Sequence, residues 1–525
     1  MRLSGSAARR ALLGAVSGLL AAAAALGVAQ LVAGLTGPLG GPVVAVGEVA
    51  INLTPVPVKD FVIGHVGSHD KQVLVAGILV VLAAFAAAVG VLALRWFGYG
   101  LVGLAVFGVL GAAAAITRPN AGGLDIVPTL AGVTVAAVAL LLLVRAADGR
   151  RDGRPRAPGQ PQPQESISAR RPDRRRFLAL AAGTAAVAAA GGFAGQAVAG
   201  RFSVDKLRAA IRLPAPARPA PAAPAAAQLR VRGITPFFTS NASFYRVDTE
   251  LVLPQIAPDQ WTLRVHGMVD RPLELSYADL LRRPLTAADI TLACVSNQVG
   301  GPLAGNARWL GASLAALLRD AGVRRGADQI LSTSNDGWTC GTPTEVVMND
   351  PDALLAVGMN GQPLPIAHGF PARMIVPGLF GYVSATKWVT DLELTTFAAQ
   401  RSYWVQRGYS VQAPIKTMSR IDVPKPFEQV RGGRTAVAGV AWAPHRGIRA
   451  VQVRVDSGPW HDARLAATDG IDTWRQWVWY WDATPGLHQL QVRATDGTGA
   501  TQPARRTGVF PDGATGWDAA AVTVT

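Results

Sequence analysis

The heptapeptide TLACVSN at residues 291–297 decides how the second half of this chain folds and what chemistry it can perform. The apolar run Ile290–Ala293 predicts a short buried strand that ends at Cys294. The chain holds two cysteines, Cys294 and Cys340, and this count excludes a disulfide scaffold or a cysteine-rich metal protein. Three roles remain open for Cys294: a metal ligand, an inert buried thiol, or the partner of Cys340 in one disulfide.

Around this heptapeptide, residues 230–414 change irregularly between short strand-like and short helical segments. This mixture favours an α+β domain over repeated strand–helix–strand units. Over residues 415–525 the pattern becomes one of alternating strands, such as Ala450–Val455 and Leu487–Ala494, separated by turn residues. About 110 residues of such strands predict an immunoglobulin-like β-sandwich.

The beginning of the chain has a different composition, with five uncharged apolar runs. Each is close to the roughly 20 residues that cross a bilayer as a helix. The first four predict an α-helical transmembrane bundle over residues 1–144. No histidine lies in any run, so we expect no haem there. The five runs are Ala11–Leu35, Val73–Leu94, Trp96–Thr117, Ile126–Val144 and Phe177–Gly200.

The net charge of +16 separates into two parts with different meanings. Residues 1–200 carry 17 Lys/Arg and 8 Asp/Glu, and the excess lies before the first run and in the linker 145–176. Four predicted spans separate these two basic segments, so both can lie in the cytoplasm, as the positive-inside rule requires. The linker has no aromatic residue on which a base could stack, and this argues against a nucleic-acid partner.

The fifth run, 177–200, follows the sequence RRPDRRRFL at 170–178, which is typical of a twin-arginine export signal placed inside the chain. An ordinary stop-transfer span with basic flanks is the alternative. We expect this run to remain as an anchor in the plasma membrane, followed by an extended Pro/Ala-rich spacer at 201–229. The multi-pass chain then presents residues 230–525 on the extracytoplasmic side.

The pair formed by TLACVSN at 291–297 and NARWLGASL at 306–314 resembles the sulfite oxidase superfamily of molybdopterin enzymes. The resemblance extends over residues 230–515 and leaves out the four predicted spans. The fusion of spans, export-like segment and enzyme resembles actinobacterial membrane-bound members, which carry a C-terminal dimerisation domain. Further matches follow in the family's order: NASFYR at 241–246, HGFPAR at 368–373, GYVSATKWV at 381–389 and APIK at 413–416.

The resemblance implies that Cys294 ligates the molybdenum of a Mo-molybdopterin cofactor, a role to which a soft thiolate is suited. The phosphate tail of such a cofactor needs basic groups and hydrogen-bond donors. The catalytic residues it implies are Cys294, Arg308 and Arg373. The cofactor-binding residues it implies are Asn241, Tyr245, Arg246, Cys294, Asn297, His368, Arg373, Ser384 and Lys387.

The function implied is that of a membrane-anchored oxidoreductase that transfers an oxygen atom in a two-electron reaction with a small sulfur-containing or similar substrate. The residues after Cys294 lack the basic pair of the sulfite-oxidising branch, which puts sulfite in doubt and leaves the direction of transfer open. The expected partners are the membrane, a quinone or redox protein, and a second copy bound through residues 415–525. The alternative is a cofactor-free, membrane-anchored binding or scaffold protein that retains the fold.

Overall fold

The structure is a computed structural model, and within its described part the chain divides into two compact units. The first unit contains the N-terminal helices up to Ser203 together with Thr249–Val252. The second contains residues 204–248 and 253–525. Most of the basic linker, including the first arginines of the export-like motif, lies outside the described residues. The structure describes residues 5–55, 58, 70–118, 121–148 and 174–525.

The helices of the first unit form where Ala, Leu, Val and Gly follow one another without charge. Five of them are long and apolar enough to cross a membrane, and they coincide with the five predicted runs. A further short helix begins at Pro42, a position that tolerates proline because a first-turn N–H has no helical partner. The helices are α1 (Gly5–Thr36), α2 (Pro42–Leu53), α3 (Asp70–Arg95), α4 (Phe97–Ile116), α5 (Val127–Asp148) and α6 (Arg174–Ala199).

Helix α1 is central to this unit and packs against α3, α5 and α6. Its approach to α6 is close enough to require glycine. A Cβ atom on Gly27 would lie 2.3 Å from the carbonyl oxygen of Ala188, and one on Gly191 would lie 2.7 Å from the Gly27 backbone. Such small-residue contacts are the usual means of close helix association in membranes. The helix that follows the export-like motif is therefore packed directly against α1.

The second unit is rich in β-strands and also contains short helices, which confirms the irregular mixture expected from the sequence. Its helices are α7 (Asp205–Ala210), α8 (Tyr277–Arg282), α9 (Leu314–Ala321) and α10 (Thr344–Asn349). The first ten strands are β1 (Thr262–Gly267), β2 (Leu273–Ser276), β3 (Leu285–Ala293), β4 (Ala304–Ser313), β5 (Gln329–Ser334), β6 (Thr339–Pro343), β7 (Leu354–Met359), β8 (Gln362–Pro363), β9 (Arg373–Ile375) and β10 (Val389–Thr395).

These ten strands form two sheets. One has the order β2-β1-β10-β5-β6, in which β1 and β10 are parallel. The other has the order β3-β4-β7-β8, with β9 paired to β7. Strands β3 and β4 are antiparallel, and their register runs from Leu285 opposite Ala312 to Ala293 opposite Ala304. Cys294 therefore lies directly beyond the last pair of this long two-stranded ribbon.

The remaining nine strands form two more sheets, of order β11-β13-β17-β16 and β12-β19-β18-β14-β15. Residues of both sheets share one hydrophobic core, to which Val437, Val453, Trp477 and Val492 belong. The two facing sheets agree with the predicted sandwich, while its immunoglobulin likeness and the boundary at residue 415 remain predictions. The strands are β11 (Met418–Val423), β12 (Gln429–Val430), β13 (Gly433–Trp442), β14 (Ile448–Val455), β15 (His461–Asp462), β16 (Arg464–Leu465), β17 (Arg475–Ala483), β18 (Gly486–Asp496) and β19 (Asp518–Val524).

The Pro/Ala-rich spacer differs from the expectation of a free extended tether. From Asp205 it begins with helix α7, whose Arg208 donates to the carbonyls of Pro363 and Leu364 at 2.8 and 2.7 Å. Further along, Arg218 forms an ion pair with Asp352. Both arginines therefore attach the spacer to the second unit, a role that composition alone does not reveal.

Candidate active site

The loop that follows β3 places Cys294 and closes on itself through Asn297. The Cys294 N–H donates to the carbonyl of Leu303 at 2.9 Å, and the Cys294 carbonyl accepts the Asn297 N–H at 3.0 Å. The side-chain oxygen of Asn297 accepts the Leu303 N–H at 2.8 Å. Asn297, expected to contact the cofactor, thus uses its amide oxygen to shape the loop that carries the cysteine.

Cys294 is a buried, free thiol. Burial raises its pKa, while hydrogen bonds from Ser296 and the positive charge of Lys387 act in the opposite direction. A bound cation would complete the stabilisation of the thiolate. Ser296 was not predicted as a site residue. Its position two residues after Cys294 is the feature of the sequence that could have indicated it. Cys340 is also free and lies 3.7 Å from the hydroxyl of Thr342, so the disulfide alternative is wrong for this structure.

Tyr245 lies in the electrostatic field of both Cys294 and Arg373. Burial raises the pKa of its phenol, a negative charge on Cys294 raises it further, and Arg373 opposes both effects. Its ring stacks on Phe244, with 5.1 Å between ring centres. Among the described residues, the Tyr245 hydroxyl has no hydrogen-bond partner. Because its pKa is raised, the phenol of Tyr245 remains protonated at neutral pH. Its hydroxyl can therefore donate a hydrogen bond to a bound molecule.

Arg373, the first residue of β9, is a buried cation. Its guanidinium donates to the carbonyls of His368 at 3.1 Å and Ala385 at 3.3 Å, and lies 5.2 Å from the ring centre of Trp309. Burial lowers its pKa to about 10, and Tyr245 opposes this effect. No carboxylate within the described part of the chain forms an ion pair with it. Because a buried charge without a counter-ion is costly, Arg373 indicates a bound anion.

The two other predicted cations, Arg246 and Lys387, share one carboxylate. Asp248 accepts from Arg246 at 2.8 Å and from Lys387 Nζ at 2.5 Å. Burial lowers the pKa of Lys387 to about 8, while Asp248 raises it. Arg246, Lys387 and Asp248 together carry a net charge of +1. The two cations alone, as predicted from the sequence, would carry +2. Asp248 had not been predicted, although its place two residues after Arg246 suits such pairing.

His368 and Asn241 hold the 241–246 segment against the site. Burial and the neighbouring charge of Arg373 lower the pKa of His368 to about 4, so the ring is neutral at pH 7. Its Nε2 lies 3.0 Å from the Asn241 carbonyl, which can only accept, so Nε2 carries the single N–H of the ring. The Asn241 amide donates to Met359 at 3.3 Å and accepts from Asn360 at 2.8 Å. The expected hydrogen bond from this imidazole to a phosphate is therefore not available in this geometry.

Ser384 also uses its proton within the protein. Its buried hydroxyl donates its hydrogen bond to the carbonyl oxygens of Leu379, at 3.1 Å, and Phe380, at 3.0 Å. The hydroxyl therefore holds the turn between these residues, and the prediction that it donates to a phosphate is not supported by its position.

Arg308 is paired with a carboxylate away from Cys294, and its catalytic role remains a prediction. In the β3–β4 register Arg308 lies opposite Asp289, and the two form an ion pair at 2.6 Å. Arg308 also donates to the carbonyl of Pro221 at 2.7 Å. Asp289 precedes Cys294 by five residues, about 16 Å along an extended strand. The charge of Arg308 is therefore compensated in the middle of the ribbon rather than at the end that carries Cys294.

Tyr245 interacts electrostatically with both Cys294 and Arg373, and Lys387 acts on Cys294 through its charge. Together they offer a soft thiolate ligand, an unpartnered hydroxyl donor and a buried guanidinium without a carboxylate. This donor set fits a group that contains both a soft metal and an anion.

The comparisons with known proteins point to the same chemistry. Residues 250–404 match the family model described as the oxidoreductase molybdopterin binding domain. The chain is 31% identical over 153 residues to the uncharacterized oxidoreductase YuiH of Bacillus subtilis (strain 168), covering 74% of that protein and 29% of this chain. The protein is thus a molybdopterin-dependent oxidoreductase.

Two curated relatives place it within that class. It is 29% identical over 339 residues to the sulfite oxidase of Gallus gallus, covering 72% of that enzyme and 54% of this chain. It is 30% identical over 297 residues to the mitochondrial sulfite oxidase of Homo sapiens, covering 47% of this chain. The chain spans about half the length of the human enzyme, 52%. These similarities make the chain a sulfite oxidase-type molybdopterin oxidoreductase, and its cofactor is Mo-molybdopterin.

Among solved structures, the sulfane dehydrogenase SoxCD from Paracoccus pantotrophus matches with a TM-score of 0.48 and 24% identity. The match covers 56% of this chain and 85% of that one.

Proposed function

We propose that this protein is a membrane-anchored, extracytoplasmic oxidoreductase that transfers an oxygen atom to or from a small sulfur-containing substrate at a molybdenum held by Cys294. The observation that carries the proposal is the buried guanidinium of Arg373, which has no carboxylate partner among the described residues and interacts electrostatically with Tyr245, as the free thiol of Cys294 also does. When bound, Mo-molybdopterin supplies the two-electron oxo-transfer chemistry.

The residues of the chain have distinct parts in this proposal. Cys294 supplies the thiolate ligand, and Ser296 and Lys387 favour its deprotonated form. Arg373 neutralises the negative charge of the bound phosphate-bearing cofactor. Tyr245 keeps its proton and donates a hydrogen bond to an oxygen atom near the metal ligand.

The cations of the site support a substrate without a full negative charge. Arg246 and Lys387 are paired with Asp248, and Arg308 is paired with Asp289. If Arg373 binds the anionic cofactor, these predicted groups keep only the net charge of +1 of Arg246, Lys387 and Asp248 for a sulfite-like anion. This balance agrees with the missing basic pair after Cys294 and favours a neutral sulfur compound, such as a sulfoxide or its reduced form.

The location rests on the first unit. Its five long apolar helices, the positive-inside distribution of arginines and the export-like motif support a plasma-membrane anchor with the second unit outside the cytoplasm. The close contact of α6 with α1 at Gly27 and Gly191 supports the retention of α6 as part of the anchor.

Metal analysis combined with a substrate screen tests the proposal. The full-length protein, purified in detergent from molybdenum-replete cells, is expected to contain about one molybdenum and one molybdopterin per chain. With redox dyes of low and high potential, it is expected to react with neutral sulfoxides or thioethers at a higher kcat/KM than with sulfite. Metal-free protein from cells that make the cofactor would favour the scaffold alternative, and a clear preference for sulfite would refute the argument from charge.

A further inference from the structure

A cluster of two arginines and two tryptophans lies on the outer face of the sheet that contains β14 and β18. In the antiparallel register Arg454 of β14 pairs with Gln491, and Gln452 pairs with Arg493 of β18. The alternate residues Val453 and Val492 belong to the hydrophobic core, so the arginines point to the opposite face. Arg454 and Arg493 are diagonal neighbours, about 7–8 Å apart at the backbone.

The two tryptophans, Trp460 and Trp517, hold both guanidinium groups. Their ring centres are 4.9 Å apart and their planes are nearly perpendicular. The Arg454 guanidinium lies 4.7 Å from the Trp460 ring and 4.9 Å from the Trp517 ring. The Arg493 guanidinium lies 4.2 and 5.8 Å from the same two rings. Both charged groups are therefore positioned by one aromatic pair, which reduces the freedom they would lose on binding a ligand.

Neither arginine has a carboxylate to compensate its charge in the described part of the chain. Arg454 Nε donates to the side-chain oxygen of Gln491 at 2.7 Å, and Arg493 donates through Nε and Nη2 to that of Gln452 at 2.9 and 2.7 Å. The nearby carboxylate of Asp462 accepts from Gln452 at 3.0 Å. Burial and the charge of Arg454 lower the pKa of Arg493. Two like charges thus lie side by side with N–H groups that face no acid.

We propose that Arg454 and Arg493 form a binding site for a small oxyanion of the sulfate or phosphate class, separate from the cofactor site. An oxyanion between the two guanidinium groups would accept charge-assisted hydrogen bonds from both and remove their mutual repulsion. The glutamines accept hydrogen bonds from the Nε atoms of the two arginines, and both tryptophan rings lie within 5.8 Å of each guanidinium group. The oxyanion that binds here could be a free inorganic ion or the monoester group of a larger molecule.

The test is a titration of the full-length protein with sodium sulfate and sodium phosphate, at ionic strength kept constant with chloride. Binding is followed by calorimetry and by the intrinsic fluorescence of tryptophan. Saturable binding is expected, weakened about tenfold or more in R454Q and in R493Q, because each removes one of two charge-assisted contacts. The lysine variants R454K and R493K are expected to retain part of the affinity, since they keep the charge and lose the planar fork.

The matched control is R434Q. Arg434 also lies over an aromatic ring, 4.7 Å from the centre of Tyr480, but as a single guanidinium on the other sheet of the sandwich. R434Q is expected to bind the oxyanions like the unaltered protein. A parallel titration with glycerol phosphate distinguishes a free ion from an ester, since an ester site binds it more tightly than phosphate. Absence of saturable binding, or equal loss in R434Q and R454Q with unchanged melting temperature, would overturn the proposal.

Discussion

Arg373 carries its charge into the interior of the second unit, where its neighbours are two carbonyl groups and the indole ring of Trp309. Carbonyl dipoles and an aromatic face compensate a guanidinium only in part. We expect a bound anion to complete the compensation, so that retention of the cofactor would depend on Arg373. This dependence makes Arg373 the most informative basic residue of the site.

The first prediction concerns R373Q, compared with R308Q. R373Q is expected to lower the molybdopterin content of the purified protein by about tenfold or more, because it removes the buried cation that would bind the phosphate of the cofactor. R308Q is expected to leave the content within about twofold, because Arg308 is paired with Asp289 away from Cys294. The measurement is pterin fluorescence after oxidative release. Equal losses in both variants would show that Arg373 has no special relation to the cofactor.

At the scale of single residues, the sequence predicted which residue types form the site. It did not predict several of the groups with which they form hydrogen bonds or ion pairs. The sequence indicated Cys294, Tyr245 and Arg373, and in the structure Tyr245 interacts electrostatically with the other two. The ion pair of Arg308 with Asp289 was not predicted, because it becomes visible only from the register of two antiparallel strands. The sequestered N–H of His368 likewise depends on a carbonyl 127 positions earlier in the chain, a contact that spacing does not reveal.

At the scale of secondary-structure elements, the loop after β13 meets the loop after α10 through one histidine. His445 Nδ1 lies 2.9 Å from a carboxylate oxygen of Asp472, and its Nε2 lies 3.6 Å from one of Asp350. That Asp350 oxygen is buried without a hydrogen-bond partner in the described structure. The hydrogen bond and charge of Asp472 raise the pKa of His445, with smaller support from Asp350 and the Pro377 carbonyl, while burial opposes them.

The second prediction follows from the sign of this shift. A histidine whose pKa is raised on folding contributes stability that is full below its unfolded pKa of about 6.5 and is lost as the pH rises through the higher folded pKa. H445Q is therefore expected to lower the melting temperature more at pH 6 than at pH 9. H461Q is the control, because His461 stacks on Trp479 rather than pairing with a carboxylate. A deficit in H445Q that is constant or grows with pH would contradict this account.

The third prediction concerns the contact between helices α1 and α6. G191V is expected to lower the melting temperature in detergent by several degrees, because its side chain would meet the α1 backbone at Gly27. Its neighbour offers a matched control, since a Cβ on Gly192 meets nothing within 4 Å. G192V should therefore melt like the unaltered protein. Equal stability of the two variants would mean that α6 does not pack on α1 in the way described.

The long elements were the most predictable, since five uncharged runs gave five helices close to their expected limits. The short helix α2 was not predicted, because its 12 residues, rich in Val and interrupted by Glu48 and Asn52, are too few to stand out as a span. Strand β3 extends back to Leu285, beyond the four apolar residues that indicated it. Its first half, LTAAD at 285–289, mixes apolar and polar residues and is held as a strand by pairing with β4.

On the scale of the whole molecule, the composition separates a helical unit from a β-rich unit, and the comparisons identify the cofactor class of the latter. The net charge of the first 200 residues concerns topology rather than binding, because it is confined to the two segments expected in the cytoplasm. Sequence could not show that the spacer folds onto the second unit, since that depends on the partners of Arg208 and Arg218.

The fourth prediction tests the export route. Replacement of Arg174 and Arg175 by lysine is expected to keep the second unit in the cytoplasm, because the export pathway recognises the paired guanidinium groups and not charge alone. The control is the equivalent change at Arg150 and Arg151 in the same linker, which should leave export unchanged. Protease accessibility of the second unit in intact cells is the measurement. Normal export of the Arg174/Arg175 variant would refute the twin-arginine interpretation in favour of an ordinary span.

The molybdenum content of two cysteine variants is the decisive comparison, because it separates a metal ligand from a buried structural thiol. Both Cys294 and Cys340 are free and buried, so Cys294→Ser and Cys340→Ser are chemically matched. Elemental analysis is expected to find molybdenum near the unaltered level in C340S and less than about a tenth of it in C294S. Full molybdenum content in folded C294S, or its loss in C340S alone, would contradict the assignment of Cys294 as the metal ligand.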